Sequence, residues 1–194
     1  MSTIQPHPDA NVRSQTFYVA CSNARCWHCG ESTRLIALAV PQNHEILDAD
    51  ADVDVDVDAD ADADLDADVD ADAKADDCDQ PVLPDAWQRA NADAFLFYVD
   101  HLPDAVRDRL KQISPSFRMA YSAVTLNSYW ANHCEHCGTL LDDHELHCEP
   151  EGAFMPSSES AAAAIQLSSI QAPFEAAAAG YALAPEFFRF MHRL

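Results

Sequence analysis

The sequence predicts an α+β fold: an antiparallel sheet clamped by paired cysteine turns, with a strand-helix-strand segment and an acidic loop inserted between the turns. Three observations lead there. One five-residue pattern occurs twice, as Cys26-Trp27-His28-Cys29-Gly30 and Cys134-Glu135-His136-Cys137-Gly138. Each copy is flanked by apolar runs of strand length. The one clear helical period between them is short and has strand-like runs on both sides.

Residues 1–15 are polar, with Pro6, Pro8 and Asp9, and read as a flexible leader without the apolar stretch of a signal peptide. A single domain is then expected over 16–194. Residues 17–21 (Phe-Tyr-Val-Ala-Cys) form a short strand, the first cysteine turn follows, and residues 35–40 (Leu-Ile-Ala-Leu-Ala-Val) form a buried strand that Pro41 ends. From Asp48 to Asp72 every second residue is Asp, with Ala, Val or Leu between. Carboxylates at that spacing repel one another, and alanine offers too little apolar surface to offset the entropy of ordering. Residues 48–81 are therefore predicted to be a disordered acidic insertion, which costs little because loop-closure entropy grows only with the logarithm of length.

Past Pro81 the pattern is globular again. Residues 95–99 (Phe-Leu-Phe-Tyr-Val) read as a strand. Residues 104–113 read as a helix, with Val106, Leu110 and Ile113 on one face, Asp104 in the first turn and Lys111 in the last. Phe117, Met119 and Tyr121 alternate with polar or small residues, as in a half-buried strand. Residues 128–131 lead into the second cysteine turn and 145–148 leave it, repeating the strand-turn-strand order of the first. Residues 165–170 are a further strand candidate, followed by an Ala-rich stretch between Pro173 and Gly180. A last helix opens at Pro185 and Glu186, with Phe187, Phe190 and Met191 as its apolar stripe and His192 and Arg193 at its negative end.

A Cys-x-x-Cys turn aims two thiolates at one ion, and the glycine that follows adopts the positive φ that closes the turn. Two such turns supply the complete tetrahedral set of one Zn²⁺ per chain, with Cys26, Cys29, Cys134 and Cys137 as ligands. A site closed by four thiolates leaves no position for water or substrate, so the expected role is structural and no catalytic residue is assigned. His133, next to Cys134, is the best substitute ligand; His28 and His136 sit inside the tight turns and point away from the ion. These imidazoles, with Arg25 and Arg34, could offset the negative charge that four thiolates leave on the centre. A redox cysteine pair is expected once, at a helix start, and not twice in hairpin-like surroundings. His144-Glu145-Leu146-His147-Cys148 lacks the i, i+4 histidine spacing of a zinc-protease helix, which leaves a second, hydrolytic site on His144, His147 and Cys148 as a weak alternative. The Asp run lacks the glycine and closing glutamate of a calcium loop.

Seven cysteines, four of them in paired turns, favour metal ligation in a reducing compartment, hence a cytoplasmic location. Cys21 and Cys148 read as core thiols. The net charge is −22, of which residues 48–79 hold −15, leaving −7 elsewhere. Such a balance opposes nucleic acid and anionic membranes and favours a protein partner, a basic one above all. No apolar run has the length of a membrane span.

Residues 26–40 and 130–138 together resemble uncharacterised bacterial zinc-ribbon proteins, in which a C-W-x-C-G turn precedes an apolar strand and a second C-x-x-C-G closes the site. The resemblance implies a structural metal and brings no activity. The wide separation of the two turns departs from a compact ribbon, which is why the zinc-clamped sheet is expected to carry insertions. The functional expectation is a non-enzymatic interaction module of the bacterial cytoplasm, with Trp27 and Trp87 as contacts. An acidic inhibitor or immunity-type protein that neutralises a basic toxin or nuclease is the alternative, and a zinc-dependent hydrolase the third reading.

Overall fold

The computed structural model describes residues 7–47, 87–183 and 185–194. The predicted disordered insertion, 48–81, lies outside the described residues. Twelve strands join in one sheet, all neighbours antiparallel except one pair. Its long path runs β12 (His192–Arg193), β10 (Gln166–Ile170), β2 (Phe17–Arg25), β3 (Ser32–Val40), β6 (Ala94–His101), β11 (Phe174–Leu183), β1 (Val12–Ser14), β4 (Glu45–Leu47), β5 (Trp87–Arg89). A branch of β7 (Phe117–Ser122), β8 (Asn127–His133) and β9 (Leu140–Leu141) joins at β6, where Val99 faces Trp130.

The central strands are apolar without a break because both faces of the sheet are covered. On β3, Ile36, Leu38 and Val40 enter one core with Val19, Leu96, Trp130 and helix α1 (Asp104–Ile113), which contributes Val106 and Leu110. Leu35, Ala37 and Ala39 enter the opposite core with Phe95, Phe154, Phe188 and Leu146 of helix α2 (Asp143–His147). Cys26 and Cys134 belong to this second core.

The expected strands at 17–21, 35–40, 95–99, 128–131 and 165–170 and the helix at 104–113 are present, several of them longer than expected. Five differences have physical causes. Part of the leader is not flexible: Val12–Ser14 pairs with β11 and β4, and Ala10 and Val12 are buried. Residues 145–148 are not a strand, because Asp142 accepts a hydrogen bond from His144 N (2.9 Å) and caps α2. In β7 only Phe117 of the alternating trio is buried; Met119 and Tyr121 face solvent. The Ala-rich stretch is the ten-residue strand β11, held on both sides by β6 and β1. The last helix is a single turn, α4 (Pro185–Phe188), since His192 N bonds to Ile165 O and residues 192–193 become β12 beside β10. The remaining helix, α3 (Glu159–Ala163), is capped by Ser158.

β6 carries one local distortion that shapes what lies above it. Tyr98 has φ of 51°, left-handed for a residue with a bulky side chain, two residues before Asp100, where β6 slips register against Ala177 and Ala178. Its N–H leaves the ladder and donates to Asp143 Oδ2 at 2.7 Å. The first residue of α2 thereby ties that helix to the sheet.

Candidate metal centre

Each cysteine turn is the tip of a β-hairpin, β2–β3 with Arg25 opposite Ser32 and β8–β9 with His133 opposite Leu140. The two tips share one backbone design. Gly30 N donates to Cys26 O at 2.8 Å and Gly138 N to Cys134 O at 2.9 Å. Cys26 N donates to Glu31 O and Cys134 N to Thr139 O, both at 2.9 Å. Gly30 and Gly138 have φ of 76° and 73°, the conformation that explains glycine after each second cysteine.

The tips meet although β3 and β8 are not ladder neighbours. Asn132, 1% exposed, bridges them with its side-chain amide: Ile36 N donates to its Oδ1 and its Nδ2 donates to Ile36 O, each at 2.9 Å. Nearer the tip, Glu135 N donates to the Oγ1 of buried Thr33 (3.0 Å), and His136 Nε2 lies 3.0 Å from Ser32 O. These contacts bring the four Sγ atoms within 4.8 Å of one another. Two pairs reach across the turns at 3.6 Å, Cys26 with Cys137 and Cys29 with Cys134. A disulfide requires about 2.05 Å, whereas four sulfurs at about 2.3 Å from a tetrahedral zinc stand about 3.8 Å apart. The described cysteines form no disulfide. The donor set and its spacing therefore fit a tetrahedral thiophilic ion.

The thiols are poised unevenly. The Thr139 hydroxyl, 3.3 Å from Cys137 Sγ, and the Thr139 N–H draw that thiol down to about 5. The N–H groups of Cys137 and His136 lower Cys134. The Glu31 N–H also lowers Cys29, but desolvation and the thiols of Cys134, Cys137 and Cys26 outweigh it and push Cys29 up to about 12. By themselves the sulfurs cannot all ionise in so small a volume. A dication removes the conflict, since a coordinated thiol is deprotonated outright.

The other sequence candidates are placed elsewhere. His133 is buried and turns Nδ1 to Ser116 O and Ala131 O, both at 3.1 Å, so it is no ligand. The guanidinium of Arg34 reaches Cys21 Sγ (3.4 Å), outside the tetrad. His144 is exposed beside Glu149, whereas His147 is buried among phenyl rings, so the alternative hydrolytic triad with Cys148 does not assemble. Among the described residues the tetrad is the only cluster suited to a metal ion. Trp27 is 67% exposed, but Trp87 lies half-buried under the Arg13 guanidinium, 4.1 Å from its ring centre. Spacing could not reveal Asn132, Thr33 and Thr139, whose roles are tertiary; an amide inside the apolar run 129–132 was the one available signal.

No described helix is long and apolar enough to cross a membrane. No protein-family model, curated protein or solved structure matches the chain.

Proposed function

We propose that this chain is a non-enzymatic protein-interaction module whose fold is held by one structural Zn²⁺ on Cys26, Cys29, Cys134 and Cys137. The observation that carries the reading is the convergence of four sulfurs from two hairpin tips, with spacing suited to zinc and, among the described residues, no fifth donor within reach of all four. A closed thiolate shell contributes to folding and offers no site for a reacting group. Metal analysis should return one zinc per chain, and X-ray absorption should return four sulfur neighbours at about 2.3 Å. An oxygen or nitrogen in the shell would reopen the hydrolytic reading.

The contact we assign is Trp27. It stands on the first tip between two ligands, its ring edge-on to His28, and a metal-clamped turn would present it with little conformational freedom. The charge of −22 favours a cationic protein as partner. Trp27→Ala should leave thermal stability within about 0.5 kcal/mol, as for an exposed side chain, while removing the bound protein recovered by affinity capture. Recovery that survives Trp27→Ala but collapses as salt rises would instead favour the acidic-inhibitor reading.

A further inference from the structure

The second core opens into a cavity of about 280 Å³ beside α2, walled by Phe95, His147, Phe154, Met155, Leu183 and Phe187. Its size is that of one aromatic ring with a small substituent, at the lower end of ligand pockets. Met155 and Leu183 at its rim are 44% and 55% exposed, apolar surface that an occupant would cover. The single charged residue of the wall is Glu186, which is exposed.

His147 is the polar feature of this wall. It is 6% exposed, and its two faces are covered by Phe97 (centroids 5.0 Å, planes 15° apart) and Phe154 (5.1 Å, 23°). The Phe97 ring is in place because Gly180 lies opposite it on β11: a Cβ there would stand 2.1 Å from a ring carbon. Nδ1 is sealed and has no hydrogen-bond partner. With both faces and Nδ1 covered, the ring can meet the cavity only along its outer edge, which carries Nε2. Burial pushes the imidazole down to about 3, so it is neutral and has one N–H. A sealed, unpartnered N–H costs more than a sealed, unpartnered acceptor, which puts the hydrogen on Nε2. The cavity thus has aromatic walls and one neutral donor. Glu186 and the acidic chain oppose an anion, and a neutral imidazole offers it no counter-charge.

From this geometry we propose that the cavity binds a small aromatic molecule bearing an uncharged oxygen acceptor, its ring among Phe95, Phe154 and Phe187 and its oxygen on His147 Nε2–H. The test uses the full, zinc-loaded chain titrated with three probes of similar shape: acetophenone, ethylbenzene and benzoate. The ring nitrogens of His147 are followed by NMR. Acetophenone should saturate with a shift at Nε2, ethylbenzene should bind about ten-fold more weakly, and benzoate should not saturate. His147→Phe keeps a stacked ring and removes the donor, so the two neutral probes should then bind within about two-fold of each other. Ala182→Phe fills the cavity and should weaken both neutral probes more than about ten-fold without lowering the melting temperature, which decides the matter if His147→Phe does not fold. Acetophenone that fails to saturate at millimolar concentration, benzoate that matches it, or a preference for acetophenone that survives His147→Phe would overturn the proposal.

Discussion

The two cysteine turns are near-copies in backbone and opposites in attachment. Their glycines differ by 3° in φ, 76° against 73°, and their closing hydrogen bonds agree within 0.1 Å. Yet the contacts that join the turns involve largely the side chains and backbone of the second copy: Glu135 N donates to Thr33, Glu135 Oε2 accepts from Arg34 N, and His136 meets Ser32 O. The second copy also continues into α2, which Asp143 fastens to Tyr98. The first copy instead holds Trp27 out in solvent. The shared cysteine and glycine spacing thus yields nearly the same local geometry, while the residue that differs, Trp27 against Glu135, and its neighbours decide that one tip is displayed and the other docked.

The severest way to break the comparison is to remove one cysteine of the tetrad from either side. Cys26 and Cys134 are each 2% exposed and both lie in the second core. If one ion holds both tips, Cys26→Ser and Cys134→Ser should be equally harmful, each losing the metal and melting the whole sheet. A structural zinc contributes on the order of 10 kcal/mol to folding, more than most domains possess. Thermal melts with parallel zinc analysis check this, and an unchanged melt for either variant would refute a shared structural ion.

The next effect concerns the helix that only the second copy has. Burial holds the Asp143 carboxyl up at about 7, against an ordinary 3.8, even though Tyr98 N–H pulls the other way. Its folded value lies above its unfolded one, so its contribution is fully present below about pH 4 and is lost as the pH rises through 7. Asp143→Asn keeps an acceptor for Tyr98 and abolishes the titration. The variant should therefore gain stability relative to the parent as the pH climbs from about 4 to 8, by up to about 4 kcal/mol. Taking the difference between the two proteins cancels the pH dependence of metal binding, and denaturant unfolding at several pH values reads it. A constant difference would mean that the carboxyl is not sealed.

Asn132 tests the docking itself. Its amide stands in for a missing ladder pair between β3 and β8, so Asn132→Ala leaves Ile36 N–H and C=O buried without partners. About 2–4 kcal/mol of stability should be lost, with zinc affinity falling alongside because the tips are no longer held in register. Asn132→Asp, which can accept from Ile36 N–H but not donate to Ile36 O, should also lose stability and zinc affinity.

Why some of this was legible in sequence and some was not follows from the range over which each signal acts. The cysteine pair of each turn, the turns themselves and α1 are specified by spacing within a few residues, and sequence displays that directly. The run 35–40 was readable because burial on both faces demands apolar residues throughout. At 117–122 the alternation was genuine but the face was not, since the described residues leave Met119 and Tyr121 exposed. β11 was opaque: alanine has no strand preference, and that segment is extended only because β1 and β6 pair with it and Gly180 admits the Phe97 ring. α2 had a usable signal, Asp142 with Glu145 three residues on, which outweighs the strand-like length of 145–148. Asn132 and Thr33 act between strands far apart along the chain, where no local pattern reaches.

The mildest expected change bears on the equality of the turns. A Cβ added at Gly30 or at Gly138 meets nothing within 4 Å, so alanine there costs only the left-handed backbone, about 1–2 kcal/mol. Gly30→Ala and Gly138→Ala should lower the melting temperature by equal amounts while leaving the zinc content at one. If the backbones are as alike as their dihedrals, docking cannot separate the two losses, because the strain stays inside each turn. A Gly138→Ala loss well beyond that of Gly30→Ala would show instead that strain in the second turn spreads through Glu135 and His136 to β3, making the attached copy the stiffer of the two.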